Sequence, residues 1–306
     1  MDLFSRLDHH GLARFGSALV FGRCHIAVER TRLQAKRDAA FLVGLERRGA
    51  AGNVLELDAQ HTYAGRIRRR TSLMNRKCLL EISAETLQTA LAAERGGADR
   101  IELCANLSVG GVTPGEQLLR AARAKLHIPI FSMVRPRAGA FVYSNAEFAE
   151  MKHSIVDAKE SGMDGVVLGI LTNARQVDVD RTSELVQFAK PLPVTYHRAF
   201  DEAADLHQAL EDVIKTGAQR ILTSGGAKGA LEGAAVLDKL IAAAGGRITI
   251  VPGAGINASN ISTVAEQTGA REFHSGLSST LEYGSSDHEK FETEVRKLAE
   301  RLAMLF

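Results

Sequence analysis

Four segments of this chain read as variants of one another: GGADRIEL at 96–103, SGMDGVVL at 161–168, TGAQRILT at 216–223 and TGAREFHS at 268–275. Each follows a stretch with helical periodicity, passes through a glycine and enters a short apolar run. That is the order of events where an outer helix ends and a buried strand begins. Self-similarity at a spacing of roughly sixty residues marks one supersecondary unit used repeatedly. Further apolar runs lie between the four, so the pattern predicts strands near 78–83, 100–104, 129–134, 164–170, 193–199, 220–224, 248–253 and 272–275. Helices such as 84–95 and 145–160 alternate with them. Right-handed crossovers of eight such units close into a (β/α)8 TIM barrel of the α/β class. A doubly wound open sheet is the alternative, because an alternating pattern does not by itself prove closure.

The pattern begins only at Met74. Residues 1–73 carry 13 Lys or Arg against 7 Asp or Glu, whereas residues 74–306 carry 25 against 29 and all six prolines. The expected organisation is therefore a basic, poorly structured N-terminal extension over 1–73, or a start site placed upstream of the functional one, and a barrel over 74–306. The extension lacks the apolar core of a secretory signal and is too acidic for an organelle transit peptide. Its cluster Arg66-Ile67-Arg68-Arg69-Arg70 reads as a solvated tail, and no nucleic-acid partner is expected. No run of about 18 apolar residues exists to span a membrane. Three widely spaced cysteines, Cys24, Cys78 and Cys104, do not make a disulfide framework and fit a reducing cytoplasm.

Barrels of this kind do their chemistry at the carboxyl ends of the strands. Those positions hold Glu81, Ser83, Glu102, Cys104, Asn106, Met133, Arg135, Arg137, His197, Arg198, Asp201, Thr223, Ser224, Asn257, His274 and Ser275. Strand alternation turns Glu81, Glu102, Cys104, Thr195, His197 and His274 inward. Buried carboxylates require partners, so Glu81 and Glu102 are expected to meet Arg135, His197 or Arg198. The result is either an ion-pair network that closes the barrel end or a polar cavity for a small ligand, in which Glu81, Glu102, His197 and Asp201 are the acid-base candidates. Three glycine loops follow strands six to eight: Thr223-Ser224-Gly225-Gly226, Gly253-Ala254-Gly255-Ile256-Asn257 and Ser275-Gly276. Either they only permit tight turns, or their N–H groups, with Arg135, Arg137 and Arg198, form an anion site.

Several longer motifs occur in order: ADRIELC at 98–104, FSMVRPRAGAFVYS at 131–144, YHRAFD at 196–201, ILTSGG at 221–226 and EFHSG at 272–276. Together they resemble the CutC family over residues 78–277. The resemblance implies a cytoplasmic TIM barrel, a homodimer or higher homo-oligomer, that works in copper homeostasis and binds Cu(I). Where that pattern has Gly-Gly-Asp, this chain has Ala138-Gly139-Ala140, so no carboxylate acts there. Cu(I) prefers thiolate and thioether, with imidazole acceptable. That selects Cys104 and Met133, with His197 and His274 as possible partners. No CxxC or MxxM pair exists, so the metal site would be assembled from different strands. The competing reading is an enzyme for a small anionic or phosphorylated metabolite. Cys78, at the opposite end of the first strand, is expected to be structural, and His127 and His153 to be ordinary surface residues.

Overall fold

A computed structural model describes residues 78–278, 280–281 and 287–305. The extension over 1–73, Cys24, the arginine cluster and the boundary at Met74 lie outside the described residues. Eight strands alternate with eight α-helices: β1 Leu79–Ala84, α1 Leu87–Gly96, β2 Arg100–Leu103, α2 Glu116–Lys125, β3 Ile130–Met133, α3 Asn145–Glu160, β4 Gly165–Leu168, α4 Val179–Ala189. The second half continues with β5 Val194–Tyr196, α5 Leu206–Thr216, β6 Arg220–Thr223, α6 Ala234–Ala244, β7 Thr249–Pro252, α7 Ile261–Thr268, β8 Glu272–Ser275 and α8 His288–Ala303.

All strands are parallel and their order is β7-β6-β5-β4-β3-β2-β1-β8. First and last strands are paired, Leu79 with Glu272 through Ile82 with Ser275, which an open doubly wound sheet does not do. At the seam between β7 and β8, the Ser275 hydroxyl donates to the carbonyl of Ile256 at 2.6 Å. The sheet is thus a near-closed barrel.

The fourfold sequence repeat has a physical origin. Its glycines, Gly97, Gly162, Gly217 and Gly269, all lie at helix ends with φ between 66° and 100°, the left-handed conformation that lets the chain leave a helix and that side chains resist. Two residues later in three of the repeats, a polar side chain reaches back to the preceding strand. Asp99 accepts from the N–H of Leu80 at 2.9 Å, Asp164 from Ile130 at 3.0 Å, and Gln219 from Val194 at 2.6 Å. In these three the segment entering the even strand ties down the start of its odd predecessor, which accounts for a repeat that skips every second strand. The fourth repeat makes its contact with β1, the strand that follows β8 around the barrel: the Arg271 carbonyl accepts from the N–H of Leu79 at 2.8 Å.

Two expected boundaries shift for local reasons. The first helix starts at Leu87 and not at 84, because Ala84 stays in β1 and Thr86 makes a capping box with Thr89. The fifth strand stops at Tyr196, because His197 caps a 3-10 turn over Arg198–Glu202. The expected helix over 145–160 is found, opened by a Ser144–Glu147 capping box.

Alternation divides each strand between two environments. Leu80, Ile82, Ile101, Leu103, Ile130, Tyr196 and Phe273 face outward and are buried under the helices, where the main apolar core lies. Inside the barrel Cys104, Phe131, Met133 and Val167 form a small apolar cluster, and charged groups occupy much of the rest.

Asp99 is a point at which this scaffold can be tested. Replacing it with Ala strands the N–H of Leu80 beneath α1 and should cost ~1–3 kcal/mol. Urea denaturation should show a lower midpoint with an unchanged slope.

Candidate functional site

The lowest interior layer is held by Arg100, the first inward residue of β2. Its Nε donates to Glu81 and its second guanidinium nitrogen to Glu272 at 2.8 Å. Arg220 from β6 donates to the same Glu272 oxygen at 3.1 Å. Both guanidinium groups lie over the Phe131 ring, 4.9 Å and 5.1 Å from its centre. This corrects the expectation that Arg135, His197 or Arg198 would neutralise Glu81 and Glu102. Those three sit too far up the barrel, and Arg100, two residues below Glu102 on the same face, is the partner Glu81 finds.

Above that layer, four side chains form a continuous chain of hydrogen bonds. His274 Nδ1 meets Glu81 at 2.7 Å, and its Nε2 lies 2.9 Å from the Ser83 hydroxyl. Ser83 lies 2.8 Å from Glu102 Oε2, and His274 Nε2 lies 3.7 Å from that same oxygen. Ionised Glu81 only accepts, so Nδ1 carries a proton. The second proton has two homes: on Nε2 with Glu102 ionised, or on Glu102 with the imidazole neutral, and Ser83 can relay between them. Burial favours neutrality throughout, but Arg100 and then His274 outweigh it at Glu81 and hold that carboxyl well below its usual range. Burial likewise opposes charge on His274, yet Glu102 and Glu81 raise its pKa. At Glu102 burial wins over the nearby His274 and the carboxyl is pushed up. Its Oε1 has no hydrogen-bond partner.

This relay forms the floor of a cavity of about 310 Å³ at the carboxyl end of the strands, with Met133, Arg135, Phe141 and His197 on its walls. Pockets at the small end of the range for ligand sites have such volumes. His197 Nδ1 accepts from the N–H of Ala199 at 3.1 Å, which fixes the tautomer: the proton is on Nε2, and Nε2 is buried without a partner. Burial, assisted by the charge of Arg135, lowers the His197 pKa to about 3. Gly169 makes room for the ring, since a Cβ there would come within 2.6 Å of Nδ1. Phe141 packs against the ring at 4.9 Å. Arg135 donates to the carbonyls of Val109, Gly111 and Gly139 at 2.9–3.1 Å, and its guanidinium lies over Phe141, while its Nε is unpartnered.

The glycine loops and the remaining arginines are mostly engaged with the chain itself. Asp201, delivered by the 3-10 turn, takes hydrogen bonds from Thr223 Oγ1 and from the N–H groups of Ser224 and Gly226, at 2.5–3.1 Å. Arg198 pairs with Asp201 at 2.8 Å and reaches Ser224 at 3.4 Å. Gly225 donates to Thr223. An internal carboxylate thus occupies the nest that follows β6. Arg137 is bound to Glu147 at 2.5 Å and to the carbonyls of Ala140 and Val142 at 2.8 Å. Asn257 caps its own turn, with Ser259 donating to it and its amide donating to Gly255. Gly253 leaves room for Leu222 of β6, whose Cδ1 would lie 2.5 Å from a Cβ there. Gly255 and Gly276 face the cavity.

The soft candidates come together at β2 and β3. A Cβ at Gly111 would touch Cys104 Sγ at 3.3 Å and Met133 Cε at 3.5 Å. Cys104 is fully buried, and burial, with Glu102 and Glu85 nearby, holds its thiol well above the ordinary range. His274 and His197, on β8 and after β5, belong to the relay and the cavity wall. Glu81, Glu102 and His274 offer ligand atoms within 4.8 Å of one another. That set is hard and already hydrogen-bonded, which fits Cu(I) poorly. Cys78 is buried just before β1, and the His127 and His153 side chains are about half and three-quarters exposed. Among the described residues no helix is long and apolar enough to cross a membrane.

Comparison with known proteins follows the same residues. Residues 78–279 match the CutC family. A CutC family protein of Chromobacterium violaceum is 50% identical over 196 residues, covering 64% of this chain and 79% of that protein. A human protein described as a copper homeostasis protein cutC homolog is 45% identical over 206 residues, 67% of this chain and 76% of its own. Among solved structures, the CutC protein of Streptococcus agalactiae superposes with a TM-score of 0.62 at 32% identity, over 65% of this chain and 98% of that one.

Two measurements test the site geometry. His197 should keep its Nε2–H tautomer without titrating between about pH 5 and 8, seen as unchanging imidazole nitrogen shifts. Arg100→Met should destabilise the fold by about 3–5 kcal/mol, because it leaves Glu81 buried with half its compensation.

Proposed function

The chain belongs to the CutC family, and from that premise we propose that it serves copper homeostasis in the cytoplasm by holding one Cu(I) ion between Cys104 and Met133. The observation that supports this reading is that the Cys104 thiol and the Met133 methyl both lie against Gly111, in one apolar cluster with Phe131 and Val167. A bare thiolate is penalised there by burial and by Glu102. A Cu(I)–thiolate pair carries no net charge and escapes that penalty, so the surroundings that keep Cys104 protonated when metal-free still accept the complex. The thioether of Met133 supplies a second soft donor without adding charge. Imidazoles are not required: His274 is held by Glu81 and Ser83, and His197 gives its only lone pair to Ala199.

Competition against a calibrated Cu(I) chelator under reducing conditions tests it. One ion per chain is expected, with affinity rising about tenfold per pH unit because one thiol proton leaves for each ion bound. Cys104→Ser should abolish stoichiometric binding, and Met133→Leu, which conserves volume, should weaken it by about tenfold, equivalent to ~1.4 kcal/mol. Equal weak binding by wild type and Cys104→Ser would overturn the reading.

A second reading is supported by a different observation. Glu102 Oε1, His197 Nε2 and Arg135 Nε are all buried, all without partners, and all belong to residues lining one cavity. Unsatisfied buried polar groups are costly unless something meets them. An enzyme acting on a small molecule at the carboxyl face of the barrel explains them, with the relay supplying acid-base chemistry.

A further inference from the structure

The Cys104 thiol is sealed from solvent, and the segment that seals it is fastened to the barrel by few bonds. Cys104 is fully buried, whereas Met133 lines the cavity together with Leu107, Val109 and Gly110. Those last three belong to a tight turn over residues 106–111, whose neck is closed by hydrogen bonds between Ala105 and Val112 at 2.8 and 2.9 Å. Gly111 lies directly against both sulfur side chains. Within the turn, Val109 and Gly111 donate to the carbonyl of Asn106, and Gly110 to that of Leu107, so its shape is held by its own bonds. Asn106, Ser108, Val109 and Gly110 are exposed on its outer side. Among the described residues, the hydrogen bonds that tie the turn to the barrel come from two places. Its Leu107 N–H donates to Glu85 at 2.9 Å, and Arg135 Nη1 donates to the carbonyls of Val109 at 3.0 Å and Gly111 at 2.9 Å. Arg135 itself stands on a fixed wall: its N–H donates to Thr113 Oγ1 at 2.9 Å, its guanidinium lies on Phe141, and its Nη2 holds the Gly139 carbonyl at 3.1 Å.

We propose, resting on the copper reading above, that this turn is a door on the sulfur site and that Arg135 is the positioning residue that latches it, so that Cu(I) reaches and leaves Cys104 only while Arg135 has released Val109 and Gly111. One guanidinium nitrogen holds both carbonyls, and bonds from a charged donor are the strong ones. Releasing them frees the turn from the wall, with Asn106, Gly110 and Gly111, at φ of 53°, 86° and 80°, as its bending points. Met133, on the cavity side, is the sulfur that an entering ion meets first. Cys104 completes the pair once Gly111 has moved off it. A bond forms between Cu(I) and Sγ, the S–H bond breaks, and its proton leaves to water through the opened door. No electron is transferred, and copper stays Cu(I) throughout. The door closes over the site whether empty or filled, so Arg135 governs the rates of entry and exit through the turn and does not touch the metal. Opening of this kind is local: it breaks few bonds and exposes little surface, which makes it nearly independent of denaturant.

The test uses the full chain, reduced and freed of metal by dialysis against a chelator. Labelling of Cys104 by N-ethylmaleimide is followed by mass spectrometry of its peptide, with the buried Cys78 as internal control. In the wild type Cys104 should label far more slowly than a free thiol, at a rate insensitive to urea well below the unfolding transition. Arg135→Met, which removes the donors and keeps a long side chain against Phe141, should speed this labelling by at least about tenfold, as the loss of charge-assisted bonds implies. Gly111→Ala forces a Cβ to within 3.3 Å of Cys104 Sγ at positive φ, and should act in the same direction with the Arg135 side chain intact. Cys78 should label at its wild-type rate in both. Stopped-flow exchange with a Cu(I) chelator then reads the metal, and Arg135→Met should accelerate loading and release together. Thermal melts establish that each variant is folded, and Gly111→Ala decides the matter if Arg135→Met does not fold. Wild-type labelling that rises with urea in parallel with global unfolding would overturn the door. So would labelling unchanged in both folded variants, or accelerated equally at Cys78. Faster release with unchanged loading would overturn the latch and make Arg135 a contact of the metal. Labelling as expected, without copper binding that depends on Cys104, would overturn the copper reading and leave a gated thiol.

Discussion

The interior of this barrel depends on the buried contact between Arg100 and Glu81. Most barrels fill the equivalent space with branched apolar side chains in layers. Here Arg100 binds carboxylates from β1 and β8, Arg220 reaches Glu272 from β6, and Phe131 lies against both guanidinium groups. An ion pair of this kind adds little net stability over an apolar filling, since desolvation offsets much of the attraction. Its consequence is positional. Glu81, neutralised on one side by Arg100, remains an anion deep in the barrel and can orient His274; His274 and Ser83 then fix Glu102. A Leu layer would leave the imidazole without a fixed tautomer and the upper carboxylate without a support.

How far this was legible in the sequence follows from which contacts are local. The barrel could be read because helix-ending glycines and strand-starting Asp or Gln residues recur, and each acts on its immediate neighbour strand: Gly97 with Asp99, Gly162 with Asp164, Gly217 with Gln219. Period-two alternation also placed Glu81, Glu102, Cys104, His197 and His274 inside. The same alternation, carried two residues back from Glu102, turns Arg100 inward; the emphasis on carboxyl-end positions passed over it because it opens β2 at the opposite end. Other features were beyond sequence reading. That Asp201 fills the loop after β6 depends on a five-residue 3-10 turn meeting a strand more than twenty positions away. That Arg135 and Arg137 spend their charge on backbone carbonyls depends on the path of the loop after β3. A guanidinium in a sequence advertises its charge and gives no sign of which oxygens will claim it.

The two proposed activities draw on different sides of one chamber. Sulfur lies at β2 and β3, and the relay at β8, β1 and β2. Glu102 lies in β2 and Cys104 directly follows it on the same inward face, so each feels the other. Proximity to Glu102 is one reason the thiol is held protonated, and the effect is reciprocal, since a thiolate at 104 would make Glu102 harder to ionise. Cu(I) bound as proposed would remove that conflict: metal cation and thiolate would cancel, and the loaded barrel would present Glu102 with nearly the same field as the metal-free barrel with its neutral thiol. The two proposals are therefore compatible in one chain, because Cys104 would carry no net charge either as a thiol or as a Cu(I) thiolate.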